Sequence, residues 1–368
     1  MSDIAALPYV RAIAPYQAGK PIDELAREYG LDPKSIVKLA SNENPRGMPE
    51  SARRAIAETM ADLGRYPDSN GFALKSALSA KFNVPVDWIT LGNGSNDILE
   101  LAAAAVLSPG RSCVYAQHSF AVYALATQAR GARAIVVPAK NLGHDVDAMA
   151  SAISADTALV YIANPNNPTG THLPAQTLAG FLARVAPQVV VVIDEAYNEY
   201  LPPERRFDSV QWVHEYPNLL ISRTFSKAYG LAGLRVGYGL AQPALTDLLN
   251  RVRQPFNVNA VAQAAALAAL KDRAFLEQSY QLNVAGMQQI IDGFRRLQLD
   301  SVPSYGNFVL VKVGDAVGVY HQLLRRGVIV RPVANYDLPE WLRITIGLRD
   351  ENERFLQALA ESLEVVAA

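Results

Sequence analysis

The sequence predicts an α/β protein: a mostly parallel central sheet with helices on both faces, joined to a smaller α+β domain. Between residues 85 and 240, short β-branched runs alternate with longer alanine- and leucine-rich segments, the pattern of parallel strands linked by crossover helices. Several runs are apolar on consecutive residues rather than on alternate ones, so both faces of the sheet are covered. After residue 255 long helical segments give way to three strands separated by one helix, which describes a second, smaller unit.

The elements follow in order. "TLGNGSNDILELAAAAVL" runs from a short strand through Gly92 and Gly94 into a helix starting at Ser95 or Asn96. "SCVYA", "AIVVP", "ALVYIAN", "VVVVID", "NLLISRT" and "VGYGL" are the next strands, each ending in residues suited to loops. Beyond 255, "NVNAVAQAAALAALKD" and the segment to about residue 297 are helical, and "NFVLVKV", "VIVRPV" and "WLRITIG" are strands. The Asn, Pro and Gly of "ASNENPRGMP" at 40–49 favour turns and mark the other boundary. The expected division is an N-terminal segment at 1–45, a large domain at 46–255 and a small domain at 256–368.

Composition narrows the function. With 34 basic and 35 acidic residues the formal net charge is -1, so nothing draws the whole protein to nucleic acid or an anionic membrane, and any phosphate binding is local. No apolar run approaches the length of a membrane span, and the N-terminus lacks a basic start followed by an apolar core; a cytoplasmic protein is expected. Cys113, the single cysteine, sits in "SCVYA" and is expected to be a buried core thiol. The five histidines show no paired metal-ligand spacing, so no metal is expected.

In open parallel sheets ligands collect beyond the carboxyl ends of the strands, and four such positions carry unusual chemistry. The small residues of "GNGSND" open a helix whose unpaired N–H groups suit an anion, although an ordinary capped helix would use the same residues. In "YIANPNNPTG" two Asn-Pro steps stiffen the backbone and aim amide side chains; Asn167 is the candidate donor, against a plain turn. In "VVVVIDEAYNEY", Asp194 and Glu195 end an apolar run at a depth where a carboxylate is costly without a partner. Neighbouring side chains of a strand face opposite ways, so one carboxylate meeting a cationic ligand is a better reading than a metal pair. "SRTFSKAYGLAGLRVGY" sets Ser222, Thr224 and Ser226 beside Lys227 and Arg235: either solvated loop charges, or hydroxyl donors and a planar fork for a phosphate monoester beside a reactive amine.

"APYQAGKP", "KLASNENPRG", "RYPDSNG", "GNGSNDIL", "NPNNPTG", "DEAYNEY", "TFSKAYGLAGLRVGY", "NFVLVKV" and "RPVANYDLPEWLRITIG" occur in the order found in one family and span nearly the whole chain. On these pieces the sequence resembles the fold-type I, class II pyridoxal-phosphate aminotransferases, most closely the histidinol-phosphate group. The resemblance implies a mostly parallel seven-stranded sheet, an N-terminal segment packed with the small domain, and pyridoxal 5'-phosphate as cofactor. It implies that Lys227 bonds covalently to the cofactor and then carries protons, and that Asp194 pairs with the ring nitrogen so that the ring can accept electrons. Asn167 and Tyr197 would bond the ring 3-oxygen, and Phe120 would stack on the ring where relatives often place a tyrosine, without that hydroxyl. Gly94, Ser95, Asn96, Thr224, Ser226 and Arg235 would hold the cofactor phosphate, and His118 would lie beside the pocket.

For the substrate, the resemblance implies Arg343 as the fork for the α-carboxylate, Arg331 and Tyr16 near the side-chain phosphate, and Asn42 as a further contact. Tyr66 would reach the cofactor phosphate of a neighbouring subunit, which implies a homodimer with shared sites. The expected reaction is transamination of L-histidinol phosphate with 2-oxoglutarate in histidine biosynthesis. Relatives that act on phenylalanine, tyrosine or prephenate, and threonine-phosphate decarboxylases, share most of these motifs. A regulator with an aminotransferase-like domain would need a basic recognition helix before "ASNENP", and none is present there.

Overall fold

A computed structural model describes residues 4–16 and 19–367 of the chain. Two strands and four α-helices lie at the beginning of the described residues: β1 is Val37–Lys38 and β2 is Ile89–Gly92, with helices Pro8–Arg11, Ile22–Tyr29, Glu50–Thr59 and Phe72–Phe82 around them. The β-branched runs then form β3 (Ser112–Ala116), β4 (Arg133–Val137), β5 (Thr157–Ala163), β6 (Val190–Asp194), β7 (Leu219–Thr224) and β8 (Gly237–Leu240). Seven of these strands make one sheet in the order β2-β8-β7-β6-β5-β3-β4. Neighbours from β7 to β4 are parallel, while β8 is antiparallel to both β7 and β2. No crossover helix links β7 to β8, so the chain turns back beside itself rather than running round the sheet.

Strands β3, β5, β6, β7 and β8 are buried on every residue, which is why apolar residues run consecutively in β3, β5 and β6, while β7 ends in the buried polar residues Ser222, Arg223 and Thr224. One core lies on each face: Val160, Ile162, Val191 and Ile193 turn to one side, Leu159, Tyr161, Val190 and Val192 to the other. The register aligns Ala163, Asp194 and Ser222 across β5, β6 and β7, so the loops that follow these strands leave from one edge.

The small domain contains β9 (Phe308–Lys312), β10 (Val328–Ile329), β11 (Arg331–Val333) and β12 (Leu338–Thr345). The run "VIVRPV", expected as one strand, is two: β10 pairs in parallel with β1, and after Val330 β11 joins the antiparallel sheet β11-β12-β9. The run is divided because it serves two neighbours.

Packing suggests other domain limits in two places. Helix Ala260–Lys271 buries Ala262, Ala265, Ala266 and Ala269 in the same core as β5 and β6, against helix Glu50–Thr59. Its small side chains allow close approach, and composition alone cannot say to which core. The division we propose therefore runs the large domain on to Lys271. Of the N-terminal segment, Leu25, Ala26, Ile36 and Ala40 pack with Leu324 and Ile329 of the small domain, but helix Pro8–Arg11 lies on helix Ala121–Ala129 of the large one. Among the described residues no helix is long and apolar enough to cross a membrane.

Candidate active site

A cleft opens where β5, β6 and β7 end beneath the small domain. Of the residues assigned to the cofactor or the substrate, all line it except Tyr66, Gly94 and His118.

Asp194, the last residue of β6, lies at its floor. Its Oδ2 accepts from the Tyr123 hydroxyl at 2.9 Å and its Oδ1 from the Ala196 amide at 3.2 Å. Burial raises this carboxyl to about 6, against the pull of those two donors. A cation in the cleft would restore its charge. Glu195 turns away, as alternation along a strand requires, and pairs with Arg223 at 2.7 Å.

An anion cradle stands to one side. Helix Ser95–Val106 begins at Gly94 with no side-chain cap, so its first amides remain available, and Ser95 and Asn96 reach the cleft. Arg235 donates from Nη1 to Ser226 Oγ at 3.2 Å and to Ala232 O at 3.0 Å, and Thr224 Oγ1 accepts from the Ser226 amide at 3.1 Å. Two glycines make this closeness possible: a Cβ on Gly94, whose φ is +86°, would lie 2.5 Å from Arg235 Nη2, and one on Gly237 would lie 2.6 Å from the Ser95 amide nitrogen.

Lys227 follows β7 and donates from Nζ to Ser41 O at 2.9 Å. Burial first, then the charges of Arg343 and Arg235, lower its pKa to about 7, while Glu43 and Asp194 work the other way. A large share of the amine is therefore neutral and nucleophilic near pH 7. Beside it, burial pushes the Tyr197 hydroxyl up to about 12, so it keeps its proton.

The small-domain side fixes the direction of these hydrogen bonds. Thr345 Oγ1 accepts from the Asn42 amide at 2.9 Å and donates to Asn42 Oδ1 at 3.1 Å. Asn42 is thereby left to donate from Nδ2 to Tyr197 OH, at 2.9 Å. The Tyr197 proton is then turned to the cleft. Arg343 does the same for Asn167: its Nη1 donates to Asn167 Oδ1 at 2.7 Å, leaving Nδ2 as the donor to a ligand. Arg343 also donates from Nη2 to Ala40 O at 2.6 Å, and its buried Nε has no partner among the described residues. Across the antiparallel pair, Arg331 of β11 stands in register with Arg343 of β12, and the ring of Tyr16 lies 5.7 Å from the Arg331 guanidinium.

These residues fit pyridoxal 5'-phosphate: a cradle for a phosphate, a depressed lysine for an aldehyde, a buried carboxylate for a ring cation and two donors for a phenolic oxygen. The family model "Aminotransferase class I and II" matches residues 34–359. The chain belongs to that family. It is 68% identical over 360 residues to histidinol-phosphate aminotransferase 1 of Cupriavidus pinatubonensis, covering 97% of this chain and 96% of that one. It is 66% identical to histidinol-phosphate aminotransferase 2 of Ralstonia nicotianae, with 96% of each chain covered. Among solved structures, the histidinol-phosphate aminotransferase of Sinorhizobium meliloti in complex with pyridoxal-5'-phosphate superposes with a TM-score of 0.91 at 27% identity, covering 99% of both chains.

Other residues of this aminotransferase lie in or around the cleft as follows. Tyr66 is exposed, stacked on Phe256 with ring centroids 4.6 Å apart, and does not enter the cleft of its own chain. His118 does not line the cleft either; its Nδ1 bonds the Tyr336 carbonyl. His144 is buried with Nε2 against Ala163 O at 2.9 Å. Arg223, without a role in the sequence, pairs with Glu195. Phe120 does line the cleft and meets Tyr123 edge-on. Tyr123 and Thr345 act on the site without standing out in sequence: one follows Phe120 at helical spacing, the other follows Arg343 on the same face of β12.

Proposed function

We propose that this protein is a cytoplasmic, pyridoxal-phosphate-dependent transaminase that exchanges the amino group between L-histidinol phosphate and 2-oxoglutarate, giving imidazole acetol phosphate and L-glutamate in histidine biosynthesis. The observation that carries the proposal is the facing pair Arg331 and Arg343 at the cleft that holds Lys227. Two guanidinium groups suit a substrate with a phosphate ester beside its amine and, in the second half-reaction, a dicarboxylate. The names of the relatives at 68% and 66% identity support the same reading.

The chain's own residues then divide the work. Ser95, Asn96, Thr224, Ser226 and Arg235 anchor the cofactor phosphate; Asn167 and Tyr197 donate to the ring oxygen; Phe120 covers the ring; Asp194 holds the ring nitrogen protonated. The bound cofactor supplies the electron sink that makes the substrate Cα proton removable. Neutral Lys227 takes that proton and returns it at the cofactor C4′ position, and Arg343 with Arg331 and Tyr16 fixes the anionic arm so that the Cα–H faces the amine. Asn42 keeps Tyr197 aimed. Exposed Tyr66, with Met60, Leu63 and Phe72 also exposed nearby in sequence, supports a homodimer in which it reaches the neighbouring subunit's cofactor.

Steady-state kinetics with histidinol phosphate, phenylalanine, tyrosine and threonine phosphate as donors to 2-oxoglutarate test the proposal. Histidinol phosphate is expected to give the highest kcat/KM. Preference for phenylalanine or tyrosine would make the enzyme an aromatic aminotransferase, and carbon dioxide release from threonine phosphate would make it a decarboxylase.

A further inference from the structure

The contact between Tyr123 and Asp194 lies behind the cleft wall. Tyr123 belongs to helix Ala121–Ala129, is fully buried and does not line the cleft, yet its hydroxyl donates to Asp194 Oδ2 at 2.9 Å. Its ring is clamped: it stacks on Tyr161 with centroids 4.5 Å apart and planes 7° apart, and Phe120 meets it edge-on at 6.0 Å. Tyr161 is held in turn by donating to Leu99 O at 2.7 Å. The hydroxyl is thus aimed by packing, and the nearest acceptor it is given is a carboxylate oxygen.

We propose that Tyr123 is a positioning residue for transamination: its hydroxyl keeps Asp194 ionised and oriented, so that the proton between Asp194 and the cofactor ring stays on the ring nitrogen. This rests on the reading of Asp194 as the ring-nitrogen partner. A hydrogen bond to the ionised form of an acid favours that form, and in a dry site the effect is large. The other groups that act on Asp194 leave this task to Tyr123. The Ala196 amide holds the second oxygen at 3.2 Å, Glu195 opposes ionisation, and Lys227 favours it only while charged, which burial discourages. Tyr161 and Tyr197 feel the Asp194 charge, but Tyr161 donates to Leu99 O, and Tyr197, which accepts from Asn42, turns its own proton to the cleft. Burial and Asp194 itself raise the Tyr123 hydroxyl well above the usual tyrosine range, so it remains a donor throughout the working pH range. Phe120 and Tyr123 sit three residues apart on the same helical turn. One lines the cleft and the other grips the carboxylate, so a single helix end would serve both the face and the edge of the ring.

Tyr123→Phe removes the hydroxyl and keeps the stacked ring; Tyr161→Phe removes the neighbouring hydroxyl, keeps the same stack and touches nothing on Asp194. Apo-enzyme of each is titrated with pyridoxal phosphate between pH 5.5 and 8.5, and the loaded proteins carry cofactor labelled with 15N at the ring nitrogen. Wild type and Tyr161→Phe are expected to share one affinity and one protonated-nitrogen shift across the range. Tyr123→Phe is expected to bind the cofactor about tenfold more weakly, the loss for one hydrogen bond to a charged group, and to lose the protonated-nitrogen shift at lower pH than wild type. Wild-type affinity and shift in Tyr123→Phe would overturn the inference. So would Tyr161→Phe behaving like Tyr123→Phe, since packing alone would then explain both. A wild-type protein that binds the cofactor but shows an unprotonated ring nitrogen at every pH overturns the role of Asp194 itself, and one that binds no cofactor overturns the proposed function.

Discussion

Two buried arginines do opposite jobs. Arg223, on β7 beneath the site, gives Nε and Nη2 to Glu195 Oε2 at 2.8 and 2.7 Å and stacks over Phe82 at 4.9 Å. Burial works against its charge, and Glu195 together with Tyr238 and Glu199 more than offsets that, leaving it above the usual arginine range. Arg343, as deeply buried on β12 and lying over the Phe308 ring at 5.4 Å, hydrogen-bonds among the described residues to the neutral oxygens of Asn167 and Ala40, and burial lowers its pKa. A cation that already has a carboxylate is part of the scaffold. One held by neutral oxygens keeps its charge for an anion that arrives from outside.

The same test applies to the third cation of the site. Lys227→Ala should reduce turnover at least about 10⁴-fold, the upper range for one positioned acid–base group, with the absorbance of bound cofactor lost and the circular dichroism of the fold kept. Full activity in that variant would remove Lys227 from the chemistry. Next in size is Glu195→Ala, which leaves Arg223 buried without its hydrogen-bonded carboxylate, with Glu199 the remaining acid acting on it, and should cost about 3–5 kcal/mol in a urea melt. Arg343→Ala has no such pair to break. An unchanged melt for Glu195→Ala would mean the contrast between the two arginines is wrong.

Arg343→Ala should instead lower kcat/KM for the anionic donor by the equivalent of about 2–5 kcal/mol, and Arg343→Lys should restore little because an ammonium cannot fork. A variant with ordinary kcat/KM but a collapsed melt would place Arg343 with Arg223. A further effect is read from pH. The folded-state pKa of Lys227, about 7, lies below its ordinary value of 10.5, so the folded state binds fewer protons between those limits. The cost of burying the ammonium is complete below pH 7 and is relieved as pH rises toward 10.5. Apo Lys227→Ala should therefore be more stable than apo wild type at pH 6, and the gap should close by pH 10. A gap independent of pH would show that the amine is not depressed.

Much of this site was legible in the chain because its parts are local. "VVVVID" announces a buried strand with a carboxylate at its end, and "NPNNPTG" and "SRTFSKAYGLAGLRVGY" place amides, hydroxyls and cations directly after strands, where an open parallel sheet binds ligands. The residues that escaped notice act through partners distant in sequence. Tyr123 meets Asp194 across 71 positions, and Thr345 meets Asn42 across 303. Neither residue type is unusual where it stands.

By itself, then, the sequence determined which elements form, which strand ends carry chemistry and which lysine is set among phosphate-binding groups, because strand, helix and turn preferences act over a few residues. Only the tertiary structure decided which charge is paired and which is kept for a ligand. Glu195 reached Arg223 and not Asp194's side of the sheet; Thr345 turned Asn42 and so aimed Tyr197; helix Ala260–Lys271 joined the large core rather than the small one. Each of these outcomes depends on the distance and burial of groups far apart in the chain. Those two quantities set hydrogen-bond direction and proton affinity, and no local pattern contains them.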